Sequence, residues 1–266
     1  MRLLTLLITL LSLTLAGCAT QATLPPCARV AVLELPPTPK DASLRHVLHK
    51  EDEKPSAEAL AADRELVRGA LLAAVPPALA EAGFVPSTLV PDASSTPMGR
   101  PLDAAALASL QTAHPADAYM RITITDYGET PERWKGAYIT FEVVSTVAIA
   151  GALLLDHTTK PIAGIYFAEE SAEELGEGYA GFWTLNRLSR PVRVEADLID
   201  GRSGKVLWQG SDTGLSRWTW GHLWHMDPAT RDTLLANSLH KATHDLAQRI
   251  AAQKTADKGC VASARP

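Results

Sequence analysis

Residues 116–128, ADAYMRITITDYG, decide how the rest of the chain is read. Met120, Ile122 and Ile124 alternate with Arg121, Thr123 and Thr125, the period of two by which a β-strand puts its apolar side chains on one face. Just upstream, Asp103 stands where a helix N-cap belongs, ahead of the apolar stretch Ala104 to Ala113, so a short helix feeds this strand. Downstream, PVRVEADLIDGRSGKVLWQGS (191–211) supplies two more strands. Val192, Val194, Ala196 and Leu198 take one face, while Arg193, Glu195 and Asp197 take the other. Gly201 to Lys205 turns the chain back, so the expectation is a hairpin with one wet face.

Toward the N-terminus, RVAVLEL (29–35) is a short β-rich run that Pro36 and Pro37 must end, since proline cannot donate to a ladder. Residues 36–55 are polar and proline-punctuated, carry His46 and His49 without a catalytic constellation, and read as a mobile connection. From Ser56 the spacing of Leu60, Val67, Leu71 and Leu72 predicts a helix that stops at Pro76-Pro77. A second helical piece then runs to Gly83, a C-terminal cap. FVPSTLV (84–90) contains a proline and reads as a strand near a sheet edge. Near the other terminus Asp227-Pro228 places an N-cap before a proline at the first helical position. Leu235, Leu239, Ala242, Leu246 and Ile250 share one side of the helix that follows. The order is β-α-β-α-β, then β-β-α.

The extreme N-terminus has a different character. Met1 and Arg2 form a positive start, Leu3 to Leu15 carry no charge, and Ala16-Gly17 are the small residues a signal peptidase requires. The run is too short to span a membrane as a helix. The sequence Leu15-Ala16-Gly17-Cys18 resembles the lipobox of bacterial lipoproteins, which implies removal of residues 1–17 and acylation of Cys18. A plain cleaved signal with an incidental cysteine is the alternative. Several acyl chains make a lasting anchor where one does not. In the resembled class Ala19 and Thr20, lacking Asp at the second position, imply export to the outer membrane, with 18–28 as a periplasmic tether. Cys27 and Cys260 then remain as an even pair in a compartment that permits disulfides. A bridge would need the first strand and the tail 254–266 to lie side by side.

Together, the VAVLEL strand, the helix leading to AEAGF, the helix leading to ADAYMRITITDYG, the hairpin and the last helix resemble one envelope superfamily. It includes the amino-terminal domain of TolB, curli-secretion lipoproteins, penicillin-binding-protein activator lipoproteins and small GNA-type lipoproteins. The resemblance implies an α/β fold of the TolB amino-terminal, anticodon-binding-like type: a three-layer-like arrangement of a mixed sheet with helices, spanning 29–253. It implies a non-enzymatic accessory or assembly factor that binds an envelope protein partner. A self-oligomerising ring or secretion component is the second expectation.

Residues 129–190 depart from that pattern as a mostly helical insertion. YITFEVVSTVAIAGALLL (138–155) is apolar except for Glu142, whose charge is costly in lipid. AEESAEELGEGYAGFW (168–183) follows, with Glu169, Glu170, Glu173 and Glu174 as a solvated face. The segment reads as a self-packed helical hairpin, a partner or oligomer surface, or a membrane-inserting element. It lacks the alternation of a barrel strand.

RWTWGHLWHMD (217–227) holds half of the six tryptophans. Trp218 and Trp220, with His222 and Trp224, either cover an edge of the core or form a partner contact, since Trp is enriched in both roles. His222 and His225 lack the further ligands of a zinc site, and His240 and His244 lack a zincin glutamate, so no metal and no cofactor is expected. Asp212-Thr213-Gly214 matches the aspartic-protease triplet, but the chemistry needs two carboxylates and no second triplet exists. An envelope hydrolase using Asp212 is therefore the least favoured reading. A formal charge of −5 and the absence of any Lys/Arg run exclude a nucleic-acid face.

Overall fold

A computed structural model describes residues 24–25, 27–35, 39–49, 54–91, 96–155, 176, 178, 180–217 and 226–252. The strands are β1 (Arg29–Glu34), β2 (Val85–Pro91), β3 (Ala118–Tyr127), β4 (Val192–Asp200) and β5 (Val206–Gly214). The helices are α1 (Asp41–Leu48), α2 (Ala57–Glu81), α3 (Ala104–Ala113), α4 (Glu132–Leu155), α5 (described residues 180–189) and α6 (Pro228–Ala251). The five strands form one mixed sheet in the order β2-β1-β3-β4-β5. β1 runs parallel to β2 and β3, and β3, β4 and β5 run antiparallel.

The chain winds first outward from β1 through α2 to β2, then back past β1 through α3 to β3. Reversal of winding sends successive crossover helices to opposite faces. Two cores result. On one face α2 and α6 bury Val67, Leu71, Val75 and Leu239, Leu246, Ile250 against Val30, Val32, Met120, Ile122 and Val194. On the other, α3 packs Leu107 and Leu110 over Ala31, Leu33, Tyr119 and Ile199. The architecture is mixed α/β in three layers.

Local sequence explains most boundaries. Ser56, Asp103 and Asp227 each accept a hydrogen bond from the backbone N–H three residues on, capping α2, α3 and α6. Gly83, at φ 74°, ends α2, and β2 lies at the sheet edge as its proline requires. Asp200 accepts from the Ser203 amide and hydroxyl in the turn to β5.

Three expectations are corrected. The stretch 36–55 contains α1, whose Leu44 and Val47 are buried. Asp41 pairs with Arg64, and His49 Nε2 lies 2.7 Å from an Asp63 carboxylate oxygen, so α1 is clamped on α2. Second, α2 is continuous through Pro76 and Pro77. The two prolines remove amide donors, but Val75, Ala78 and Leu79 are each 1% exposed, and their burial holds the last turns in helical register.

Third, the polar face of the hairpin is not wet throughout: Asp197 is fully buried, as is Arg121 on the neighbouring strand. Arg121 donates from Nε and Nη2 to the two carboxylate oxygens of Asp197, and from Nη1 and Nη2 to the carbonyls of Thr96 and Arg100. Asp197 also accepts from the Gly99 amide at 2.6 Å. A bidentate pair with two further carbonyl acceptors thus pins the 96–100 loop over the sheet.

Candidate interaction surface

Strand directions sort the molecule into two ends. At the entry end lie Cys27, the start of β1 and the turn at Gly201, whose amide donates to Asp117 while the Asp117 amide donates to Arg29. α6 descends toward this end, where His244 meets Glu81, the last residue of α2. At the opposite, distal end β1 and β3 finish, β4 begins and β5 finishes.

Both unusual stretches spring from the distal end. The insertion leaves after Gly128 and returns at Ser189, and the tryptophan-bearing stretch leaves after Ser216 and rejoins at Asp227. Their roots are tied together. The Ser189 carbonyl accepts from the hydroxyls of Ser216 (2.8 Å) and Ser238 (2.8 Å), and Ser238 Oγ accepts from the Ser216 amide. Gly128, at φ 75°, stands where a Cβ would strike Val47 of α1 and Leu235 of α6, so those helices close tightly over the end of β3.

The described part of the insertion is an α4–α5 pair. Tyr138 and Phe182 meet edge to face at 5.6 Å, and Asn186 Oδ1 accepts from both the amide and the hydroxyl of Thr130. The outer side of the pair is apolar and uncovered among the described residues. Phe141 is 68% exposed, Val144 61%, Val143 52% and Trp183 46%, with the Arg187 guanidinium 5.0 Å above the Trp183 ring. Ala137, Phe141 and Val144 share one helical face by their spacing. No helix among the described residues is long and apolar enough to cross a membrane.

At the root of this pair stands Arg190, 9% exposed, with φ at 44°. Its Nε is buried without a hydrogen-bond partner among the described residues. Burial first, then the neighbouring Arg187 and Arg231, pull its guanidinium down to about 10, against which Glu129 acts in the opposite sense. Arg231 is occupied by Asp232 and the Leu48 carbonyl, and Glu129 accepts from the Ser43 hydroxyl. Close by, burial and then Asp232 push the Tyr127 hydroxyl up to about 12.

The residues singled out from sequence divide as follows. Cys18, Trp218, Trp220, His222, Trp224 and Cys260, with Glu169, Glu170, Glu173 and Glu174, lie outside the described residues. Cys27 is described, at the entry end. Asp212 lies on β5, 3.2 Å from Arg249 Nη1 and accepting from the Thr213 amide at 2.8 Å. His240 and His244 are neighbouring rings on α6, and His244 faces Glu81. Among the described residues no three His, Cys, Asp or Glu side chains gather as a metal site. A small void between α2, α6 and the sheet is lined by Val75, Leu79, Met120, Ile122, Leu246 and Thr243, whose hydroxyl is turned to the Leu239 and His240 carbonyls of its own helix.

Two features escaped the sequence reading. The exposed face of α4 was readable only as part of an apolar run, and Arg190, in RLSRP (187–191), gave no sign of burial.

No family model matches this chain, and no curated protein matches it. Among solved structures it is similar to a PelC dodecamer from Paraburkholderia phytofirmans, at 10% identity and a TM-score of 0.33 over 84% of this chain and 90% of that one. It is also similar to protein XCC0632 from Xanthomonas campestris, at 9% identity and a TM-score of 0.38 over 89% of each chain. The lipoprotein GNA1162 from Neisseria meningitidis is 16% identical, with a TM-score of 0.28 over 85% of this chain and 99% of that one.

Proposed function

We propose that this protein is a lipid-anchored accessory factor of the bacterial envelope, not an enzyme, and that it docks a protein partner at the distal end of its sheet. The observation that carries the reading is the apolar side of the α4–α5 pair, uncovered among the described residues, where Phe141, Val143 and Val144 of α4 and Trp183 of α5 are each exposed. Exposed apolar patches mark interaction sites, and Trp and Arg, as at Trp183 and Arg187, are enriched among interface hot spots. Acylated Cys18 would tether the entry end to the outer membrane and leave the distal end facing the periplasm. The carboxylate of Asp212 is engaged by Arg249 and the Thr213 amide, which favours a structural role over a hydrolytic one.

The test is a pair of charge insertions in the full-length lipidated protein, Phe141→Glu with Val144→Glu. Both positions are solvent-exposed, so the melting temperature should hold within about 2 °C, the scale of surface substitutions. The yield of the in-cell cross-linked complex should fall at least tenfold. An undiminished complex would refute docking at this face.

The tail offers a second check. α6 ends at Ala251, next to Ile250, which shares a buried cluster with Ala28 beside Cys27, and nine residues reach about 30 Å, so we infer a Cys27–Cys260 bridge. Oxidised protein should migrate faster than Cys27→Ser on a non-reducing gel. Equal migration would refute the bridge.

A further inference from the structure

Within one chain, two buried arginines are treated in opposite ways. Arg121, with no exposed surface, is matched by both oxygens of Asp197 and two carbonyls. Arg190, 9% exposed, has no carboxylate bonded to it among the described residues, and its Nε meets no acceptor. A buried cation without a partner is a standing penalty, and a chain keeps one chiefly where something else supplies the missing charge.

The surroundings deepen the contrast. Arg187 and Arg231 add positive charge, while the nearby Glu129 is engaged by Ser43. The backbone of Arg190 sits in the left-handed region that favours glycine and asparagine, strain of the kind found at binding sites. Its place is at the carboxyl end of β3, where Tyr127 pairs with Val192 and the Gly128 amide donates to the Pro191 carbonyl, at the root from which the insertion leaves.

We propose that Arg190 receives a carboxylate, an aspartate or glutamate side chain carried on an apolar segment of the docked partner, with Trp183 and the exposed face of α4 taking that segment's hydrocarbon. This rests on the docking reading above and names the chemistry of the partner. A guanidinium matches a carboxylate bidentately, and the match is strongest where water is excluded. A doubly charged phosphate would stand against Glu129, whereas one carboxylate completes the local balance. Its immediate neighbours are charged, Arg187 and Arg231 attracting a carboxylate and Glu129 opposing it, and the apolar side chains Trp183, Phe141 and Val144 stand farther along α5 and α4.

The test uses full-length protein in detergent and the variant Arg190→Gln, which keeps a polar side chain and removes the charge. Its melting temperature should be equal to or above that of the wild type, because no carboxylate among the described residues bonds to the charge; a fall of more than about 5 °C would assign Arg190 a structural role and overturn the proposal. The Arg190 Nε–H resonance, identified by its loss in the variant, should shift saturably with acetate and less with inorganic phosphate. An absent acetate response, or a stronger phosphate one, would overturn the carboxylate assignment. In cells, Arg190→Gln should reduce the cross-linked complex at least tenfold and Arg190→Lys should restore part of it. A complex undiminished by Arg190→Gln sinks this inference while leaving docking intact. If the wild type forms no complex, docking fails, and with it the partner assignment.

Discussion

Replacing Asp197 with alanine should lower the free energy of unfolding by about 3–5 kcal/mol in urea titrations, the range for stripping one partner from a buried ion pair. The loss is large because the guanidinium of Arg121 would remain with no exposed surface and only the Thr96 and Arg100 carbonyls as acceptors. The Gly99 amide would lose its acceptor as well, loosening the 96–100 loop. Charge burial, not packing volume, is the cause. Removing both members with shape-matched apolar residues, Arg121→Met with Asp197→Leu, should therefore recover most of the loss. A single-variant loss below about 1 kcal/mol, the scale of an exposed pair, would contradict this.

Gly214→Ala should destabilise by about 3 kcal/mol, at the upper end for overpacking. β5 approaches α6 so closely at Gly214 that a Cβ would overlap the Ser238 carbonyl and crowd the Ala242 amide, both backbone atoms of a helix. Neither can rotate away, so α6 must move as a body. Ser238 also donates to the Ser189 carbonyl and receives the Ser216 amide, so the shift should reach the roots of both the insertion and the tryptophan-bearing stretch. The check is thermal unfolding together with amide exchange at Ser189 and Ser216; faster exchange there is expected, and unchanged exchange would contradict the coupling.

The parts of the fold legible in the sequence are those fixed by local rules. Alternation in 118–127 and 192–198, caps at Ser56, Asp103 and Asp227, and the stripe of α6 each depend on neighbours within a turn or a strand pair. The exceptions share a cause. Asp197 alternates with Val194, Ala196 and Leu198 just as a solvated residue would, and the α3-side layer that covers it comes from sequence nearly a hundred residues away. Pro76-Pro77 carries a strong local stop signal, overruled by the burial of Val75, Ala78 and Leu79. α1 has eight residues and is held by Leu44, Val47 and its clamps to α2, contacts with no trace in local pattern.

The candidate surface was legible in outline only. An apolar run at 138–155 marked the insertion as unusual, but which of its faces lies uncovered depends on where α5 packs, and that is set by Tyr138 with Phe182 and by Thr130 with Asn186. Arg190 is a sharper case. An arginine before a proline at the end of a helix reads as a surface residue; it is buried because α6 and the start of the insertion close around it, and its missing partner is visible only once they have.

The most direct measurement places a photo-reactive amino acid at position 144 on the exposed face of α4, or at position 202 in the entry-end turn, in full-length lipidated protein in living cells. The account predicts that illumination joins one defined foreign protein to position 144 and not to position 202. Equal labelling from both positions, or products from position 144 that contain this chain alone, would contradict it.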